Sequence, residues 1–270
     1  MSYKKHNEKL IAIYKKFLEV RYREKGPGEL ANYKWYKLPN TLPIVLMAYS
    51  QMLSEHSRKL SNSINKLYHY IVNLSSWEKV ISIIDEDFKY ELLFEHIDPF
   101  ATLALNSIYA IRSKFIFSVA QLCHQANMIK CRGYWKDDLP NDEKICFEHA
   151  NIVGKNWKEY KKLKLCIKKV GNKRFNETTK YFRNKYNHRY SPEIEFGYTE
   201  FIKRKIGEGE VSYRIGYTEP LSLALLIPVL TKQYQLILSV YDQYKKLIYE
   251  QIKTIENGCI QLQVQQRWQG

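Results

Sequence analysis

The sequence predicts a mostly α-helical protein, and three observations predict it. Glycine and proline are scarce, 11 and 8 among 270 residues, so few positions interrupt a helix. Apolar residues recur every three or four positions along most of the chain, the spacing that puts them on one helix face. Only one segment, near 198–217, departs from that period. An apolar fraction of 45% supplies enough material for a core, which argues against wholesale disorder.

The elements follow in order. Tyr3 to about Glu24 reads as a helix with Leu10, Ile13, Tyr14, Phe17 and Leu18 on one face, stopped by Gly26-Pro27-Gly28. A long helical run starts between Pro39 and Pro43, with Thr41 as N-cap, and continues to about Leu74. Ser76 is expected to cap a following helix carrying Val80, Ile81, Ile84 and Phe88. Asp98-Pro99 then reads as an N-cap followed by proline at the first helical position, opening a helix to about Met128. Gly133 to Glu143 is a polar surface loop. Helices are expected at about Asp142–Val153 and Asn156–Val170. Another runs from near Asn172 to about Tyr190 and is stopped by Ser191-Pro192. Tyr198–Ile206 and Glu210–Tyr217, joined by Gly207-Glu208-Gly209, read as a β-hairpin. Glu219-Pro220 opens a C-terminal helix to about Glu256, closed by Asn257-Gly258. The expected organisation is an N-terminal helical part over 1–95, a helical domain over 96–258 with the hairpin inserted, and a frayed, Gln-rich tail over 259–270.

Five cysteines, an odd number without CxxC spacing, point to a reducing compartment rather than a disulfide framework. The stretch Met1–Val20 is amphipathic and lacks the apolar core of a secretory signal. Leu221–Leu230 is too short to span a bilayer. A cytoplasmic protein without a membrane partner is expected.

The charge is concentrated. Between Lys155 and Tyr190 thirteen Lys or Arg face only Glu159 and Glu177, so this segment carries most of the formal +15. Trp157, Tyr160, Phe175, Tyr181, Phe182, Tyr186 and Tyr190 lie among the cations. Clustered cations with aromatic rings suit a phosphate backbone carrying unstacked bases. A solvated helix face with inward-packed rings is the plainer reading.

Within this segment stands Phe182-Arg183-Asn184-Lys185-Tyr186-Asn187-His188-Arg189-Tyr190. Arg183 and His188 form an R-x4-H pair, with Asn after the Arg and Tyr two positions after the His. The motif resembles that of the HEPN superfamily, a group of helical-bundle proteins whose ribonuclease members carry R-x4–6-H. The fuller R-x4-H-x-Y form is similar to HEPN toxins paired with nucleotidyltransferase antitoxins. The resemblance covers about residues 98–256. It implies a HEPN-like helical bundle and a metal-independent endoribonuclease with no cofactor, in a toxin–antitoxin or phage-defence setting, with an antitoxin or regulatory partner. It also implies a homodimer that brings two motifs together across a two-fold axis, and it makes Tyr190 a target for adenylylation.

The chemistry agrees with the residue types. RNA cleaves when its 2′-hydroxyl attacks the adjacent phosphorus, given a base, an acid and positive charge on the phosphorane. Histidine serves both proton roles near neutrality, which assigns them to His188. Arginine offers a permanent bidentate cation, which assigns charge stabilisation to Arg183. Asn184, Asn187 and Tyr190 are expected to support His188 or the RNA, while Lys173, Arg174, Lys180, Lys185, Arg189 and Tyr186 are expected to bind RNA. On one continuous helix, residues five apart are rotated by roughly 140°. Either the helix ends between Arg183 and His188 or the site is composite. A non-catalytic RNA-binding or scaffolding protein using the 155–190 patch is the alternative.

Other constellations carry less. Cys123-His124, Cys131 and Cys146-x2-His149 are zinc-ligand types at irregular spacing, so no metal is assigned. Asp85-Glu86-Asp87 with Glu91 reads as a solvated charge run, and His56, His69 and His96 as structural. Gly-rich phosphate loops, GxSxG and dinucleotide fingerprints are missing from the sequence, which excludes those enzyme classes.

Overall fold

The computed structural model describes residues 3–40, 42–207 and 210–267, with side chains described through residue 260. The described chain is mostly helical. Its elements are α1 (Tyr3–Arg23), α2 (Met47–Ile81), α3 (Glu86–Leu92), α4 (Asp98–Lys130), α5 (Phe147–Gly154), α6 (Lys158–Lys169), α7 (Lys173–Thr178), α8 (Phe182–His188), strands β1 (Ile202–Ile206) and β2 (Val211–Ile215), and α9 (Leu223–Arg267). Thr41, expected as an N-cap, and Glu208-Gly209 of the expected hairpin turn lie outside the described residues.

Several local stop signals are overridden. Ser76 does not start a helix: its hydroxyl donates to the Val72 carbonyl one turn back, at 2.7 Å, and α2 continues to Ile81. Asp98 is helical, with φ −59° and ψ −45°. The chain passes from α3 through a π-turn over Leu93–Ile97 directly into α4. A proline ring collides with the carbonyl four residues back in a regular helix. The wider turn just before Pro99 relieves that crowding. Asn257-Gly258 does not end α9 either. A Cβ at Gly258 would collide with the Ile129 side chain on α4, so the glycine serves close helix packing. The backbone of α9 continues through the expected tail as far as Arg267. Its start is Leu223 rather than Glu219, because the Glu195 carboxylate accepts the Leu223 N–H. The helix expected from Asp142 begins with a 3-10 turn, Asp142–Lys144, before α5.

The chain forms two compact units. The first comprises Met1–Glu29, Lys66–Ile108 and Gly171–Tyr234; the second comprises Leu30–Asn65, Tyr109–Val170 and Gln235–Gly270. Each unit draws on three separate stretches of the chain. In the first unit Phe17 stacks on Trp77, with centroids 4.2 Å apart, and Trp77 stacks on His96 at 5.1 Å. In the second, buried tyrosines bring their hydroxyls to partners. Tyr49 donates to Gln251 at 2.9 Å, and Tyr244 pairs with Ser118 at 2.8 Å. This is how an amphipathic ring enters a core without leaving its oxygen unpaired.

By length and composition α9 is apolar enough to cross a bilayer, a property that Leu221–Leu230 alone does not show. Its buried residues Leu226, Leu230, Tyr234, Ile237, Tyr241 and Tyr244 recur every three or four positions, as in a helix laying one face on a core.

The hairpin is as expected in type. Its strands are antiparallel and pair Ile202 with Ile215, Arg204 with Tyr213 and Ile206 with Val211 on one face. Lys203 opposite Arg214, and Lys205 opposite Ser212, occupy the other face. All ten strand residues are exposed. A two-stranded ribbon in water is marginal by itself, so its anchorage at the base matters.

Candidate nucleic-acid interface and the Arg183–His188 motif

The helix expected over 172–190 is broken in the middle. Asn172 caps α7 by accepting the Phe175 N–H at 3.0 Å. The helix closes when the Tyr181 N–H reaches back to the Asn176 carbonyl at 2.7 Å, a closure that needs left-handed residues. Those residues are Lys180 (φ 51°) and Tyr181 (φ 59°), not glycines. Two successive side-chain-bearing residues in this region cost on the order of 1–2 kcal/mol each. Such strain gathers at sites where geometry serves function.

After the break, α8 carries Arg183 and His188 on seven continuous helical residues. The helix does not end between them, so the two side chains leave α8 in directions roughly 140° apart. Asn184 lies on the His188 side, one turn before it, and Asn187 on the Arg183 side. All four are exposed. Arg189 turns extended, with φ −152°, and ends the helix. Tyr190 follows, 81% exposed. Tyr186 stacks on Phe182 at 5.7 Å.

The basic segment divides between the two units, with 155–170 in one and 171–190 in the other. The halves differ in kind. On α6, Tyr160, Leu163 and Ile167 are buried beneath exposed lysines, and Trp157 is buried just before it. That half is a solvated face with inward rings. In 171–190 Phe175 and Phe182 are buried, but Tyr181, Tyr186 and Tyr190 remain exposed beside Lys173, Arg174, Arg183 and Arg189. Exposed rings among cations occur in this half.

The hairpin is tied to α8 through Glu200. Its Oε2 accepts from Lys185 at 2.8 Å and from the Thr218 hydroxyl at 2.7 Å, and pairs with Lys203 at 3.0 Å. Burial raises the Glu200 pKa, but the hydrogen bonds from Lys185, Thr218 and Lys203 outweigh it and hold the carboxyl at about 2. A depressed carboxylate stabilises the fold above its ordinary range, and that contribution is lost as pH falls toward 2. Wild-type protein is therefore expected to lose stability on the order of 1–2 kcal/mol between about pH 5 and pH 2 relative to Glu200→Gln. Thermal melts across that window would measure it, and parallel curves for the two proteins would refute it.

Beside this hub lies an open cavity of about 570 Å³, lined by Lys180, Tyr181, Lys185, Lys203, Tyr217 and others. Sequence reasoning placed Lys180 and Lys185 among RNA-binding residues but missed Lys203, Lys205, Arg214 and Tyr217. The period-two alternation of the hairpin was the signal that puts Lys203, Lys205 and Arg214 on one face and Arg204 on the other.

Side chains of the remaining constellations have partners within the fold. Cys123 is buried, which pushes its thiol pKa up, and it accepts from Gln251 at 3.2 Å. His124 bonds Asp137 at 2.9 Å, and Cys131 accepts from Asn156 at 3.3 Å. Cys146 and His149 cap α5 reciprocally. Among the described residues no three His, Cys, Asp or Glu form a metal-holding group. Glu86 pairs with Lys89 at 2.6 Å and Glu91 with His6 at 2.9 Å. His69 meets Tyr68 edge-on, at 5.4 Å between centroids, and burial lowers the pKa of His56.

No protein-family model matches the chain, and neither a curated protein nor a solved structure is similar to it. The class of the protein therefore rests on the motif and its surroundings.

Proposed function

We propose that the protein acts on RNA, and that α8 carries half of a metal-independent endoribonuclease site of HEPN type, completed by a second copy. The observation that carries this reading is the R-x4-H helix among exposed tyrosines and cations in one unit. In the reaction the 2′-oxygen attacks phosphorus, the bond to the 5′-oxygen breaks, and a 2′,3′-cyclic phosphate and a 5′-hydroxyl result. His188 takes the proton from the attacking hydroxyl or returns one to the leaving oxygen. Arg183 binds the non-bridging oxygens, where charge accumulates. Because the two side chains diverge on α8, one copy supplies them to different places, and an isologous dimer brings Arg183 of one copy to His188 of the other. A toxin or phage-defence role in the cytoplasm, a regulatory partner and modification of Tyr190 belong to this reading through the HEPN resemblance.

The divergence of Arg183 and His188 favours a second reading, a non-catalytic RNA-binding protein that uses the same surface. Incubating purified protein with labelled, structured RNA in EDTA separates the two. Cleavage to fragments ending in cyclic phosphate is the expected result. Intact RNA, bound with an affinity that falls steeply with salt, would establish the binding protein instead.

A further inference from the structure

We infer that the cavity between the α7–α8 turn and the base of the hairpin is a subsite for one nucleotide unit of single-stranded RNA, with the phosphodiester at Lys180 and Lys203 and the base on Tyr181 or Tyr217. The inference rests on the RNA reading above and gives it a place on the surface.

Four observations converge there. The cavity holds about 570 Å³, within the usual range for a site that takes a small organic group. Lys185 and Lys203 pair with the Glu200 carboxylate, while Lys180 donates to the Glu219 and Pro220 carbonyls; three ammoniums against the two carboxylates of Glu200 and Glu219 leave one net positive charge. That excess matches the single negative charge of a phosphodiester in a chain better than the nearly double charge of a free mononucleotide. Tyr181 and Tyr217 line the cavity and are 47% and 57% exposed; Tyr217 is braced edge-on by Tyr198, at 4.7 Å. Exposed rings beside cations are what unstacked bases bind. Finally, Lys180, Tyr181 and Glu200 all have left-handed backbones, with φ between 51° and 60°. Lys180 and Tyr181 line the cavity, and Glu200 bonds its lining residues Lys185, Thr218 and Lys203, so strained backbone helps to fix the shape of the walls. The ribbon face bearing Lys203, Lys205 and Arg214 continues the path for the adjoining phosphates.

Fluorescence anisotropy with a labelled 2′-O-methyl oligouridine tests the proposal, because that strand lacks the attacking hydroxyl and survives the assay. At least one of Tyr217→Ala and Tyr181→Gly, according to which ring carries the base, is expected to bind roughly five- to hundredfold more weakly than wild type. Tyr181→Gly removes the ring while suiting the left-handed backbone, so its melting temperature should equal or exceed that of wild type and weak binding cannot be put down to unfolding. Excess uridine monophosphate should fail to displace the oligonucleotide. If wild type binds and both variants bind equally well, the subsite is refuted while the RNA reading stands. Efficient displacement by the mononucleotide would overturn the assignment to a chain. If wild type does not bind the strand, both readings fall together.

Discussion

Replacing His188 by alanine is expected to slow RNA cleavage in EDTA by about 10²- to 10⁴-fold, the contribution of a positioned proton-transfer group, while RNA binding stays within a few fold. The imidazole is exposed on the last turn of α8, so its loss removes no core contact. Arg183→Ala should lose cleavage comparably, through the charge it no longer brings to the phosphorane. The divergence of the two side chains adds a sharper expectation. Neither variant cleaves alone, but mixing them under conditions of subunit exchange should restore part of the activity, since a mixed dimer contains one intact Arg183–His188 pair across the axis. Absence of restoration in a mixture proven to exchange would mean that the site does not lie across two copies.

The largest stability effect is expected at Trp157. Its ring is fully buried, its indole N–H donates to Asn127 at 2.9 Å, and Lys130 Nζ sits 4.1 Å from the ring centroid. Asn127 in turn donates to the Val153 carbonyl at 2.9 Å, and Lys130 pairs with Glu250 at 3.3 Å. Glu250 accepts the first N–H groups of α6, from Lys158 and Glu159, both at 2.9 Å. One indole thus holds α4, the end of α5, α6 and α9 in register. Trp157→Ala leaves a large cavity and an unpaired amide, costing about 3–5 kcal/mol and lowering the melting temperature by about 10 °C. Trp157→Phe, which keeps most of the apolar volume, should cost markedly less. Calorimetry on the pair checks this, and equal losses would show that the hydrogen bond rather than the volume dominates.

What the sequence revealed and what it hid have separate physical causes. The helices and the hairpin were legible because their periods are written in local patterns: α1 ends before Gly26-Pro27-Gly28, and β1 and β2 alternate as a ribbon should. Boundaries were misread where a local stop signal is satisfied inside a helix. Ser76 bonds its own preceding turn, Pro99 follows a π-turn, and Gly258 answers to a neighbour's methyl group. The break at Lys180-Tyr181 was invisible for the opposite reason, because neither residue type marks a left-handed backbone. The cations of the candidate site could be counted from composition. Their division between two units, and the joining of the hairpin to α8 by Glu200, depend on tertiary pairing that no short motif encodes.

The interleaving of the two units has a consequence for how the protein is made. A ribosome delivers the chain in one direction, yet Gly171–Tyr234 completes one unit and the stretch from Gln235 completes the other. The first can close once the opening turns of α9, up to Tyr234, have emerged, whereas the second waits for the rest of that helix. Until then the apolar stripes of α2 and α4 wait uncovered, and pairings between distant parts of a chain are slow to form. A chain broken off before α9 is therefore expected to expose apolar surface and to aggregate rather than to fold.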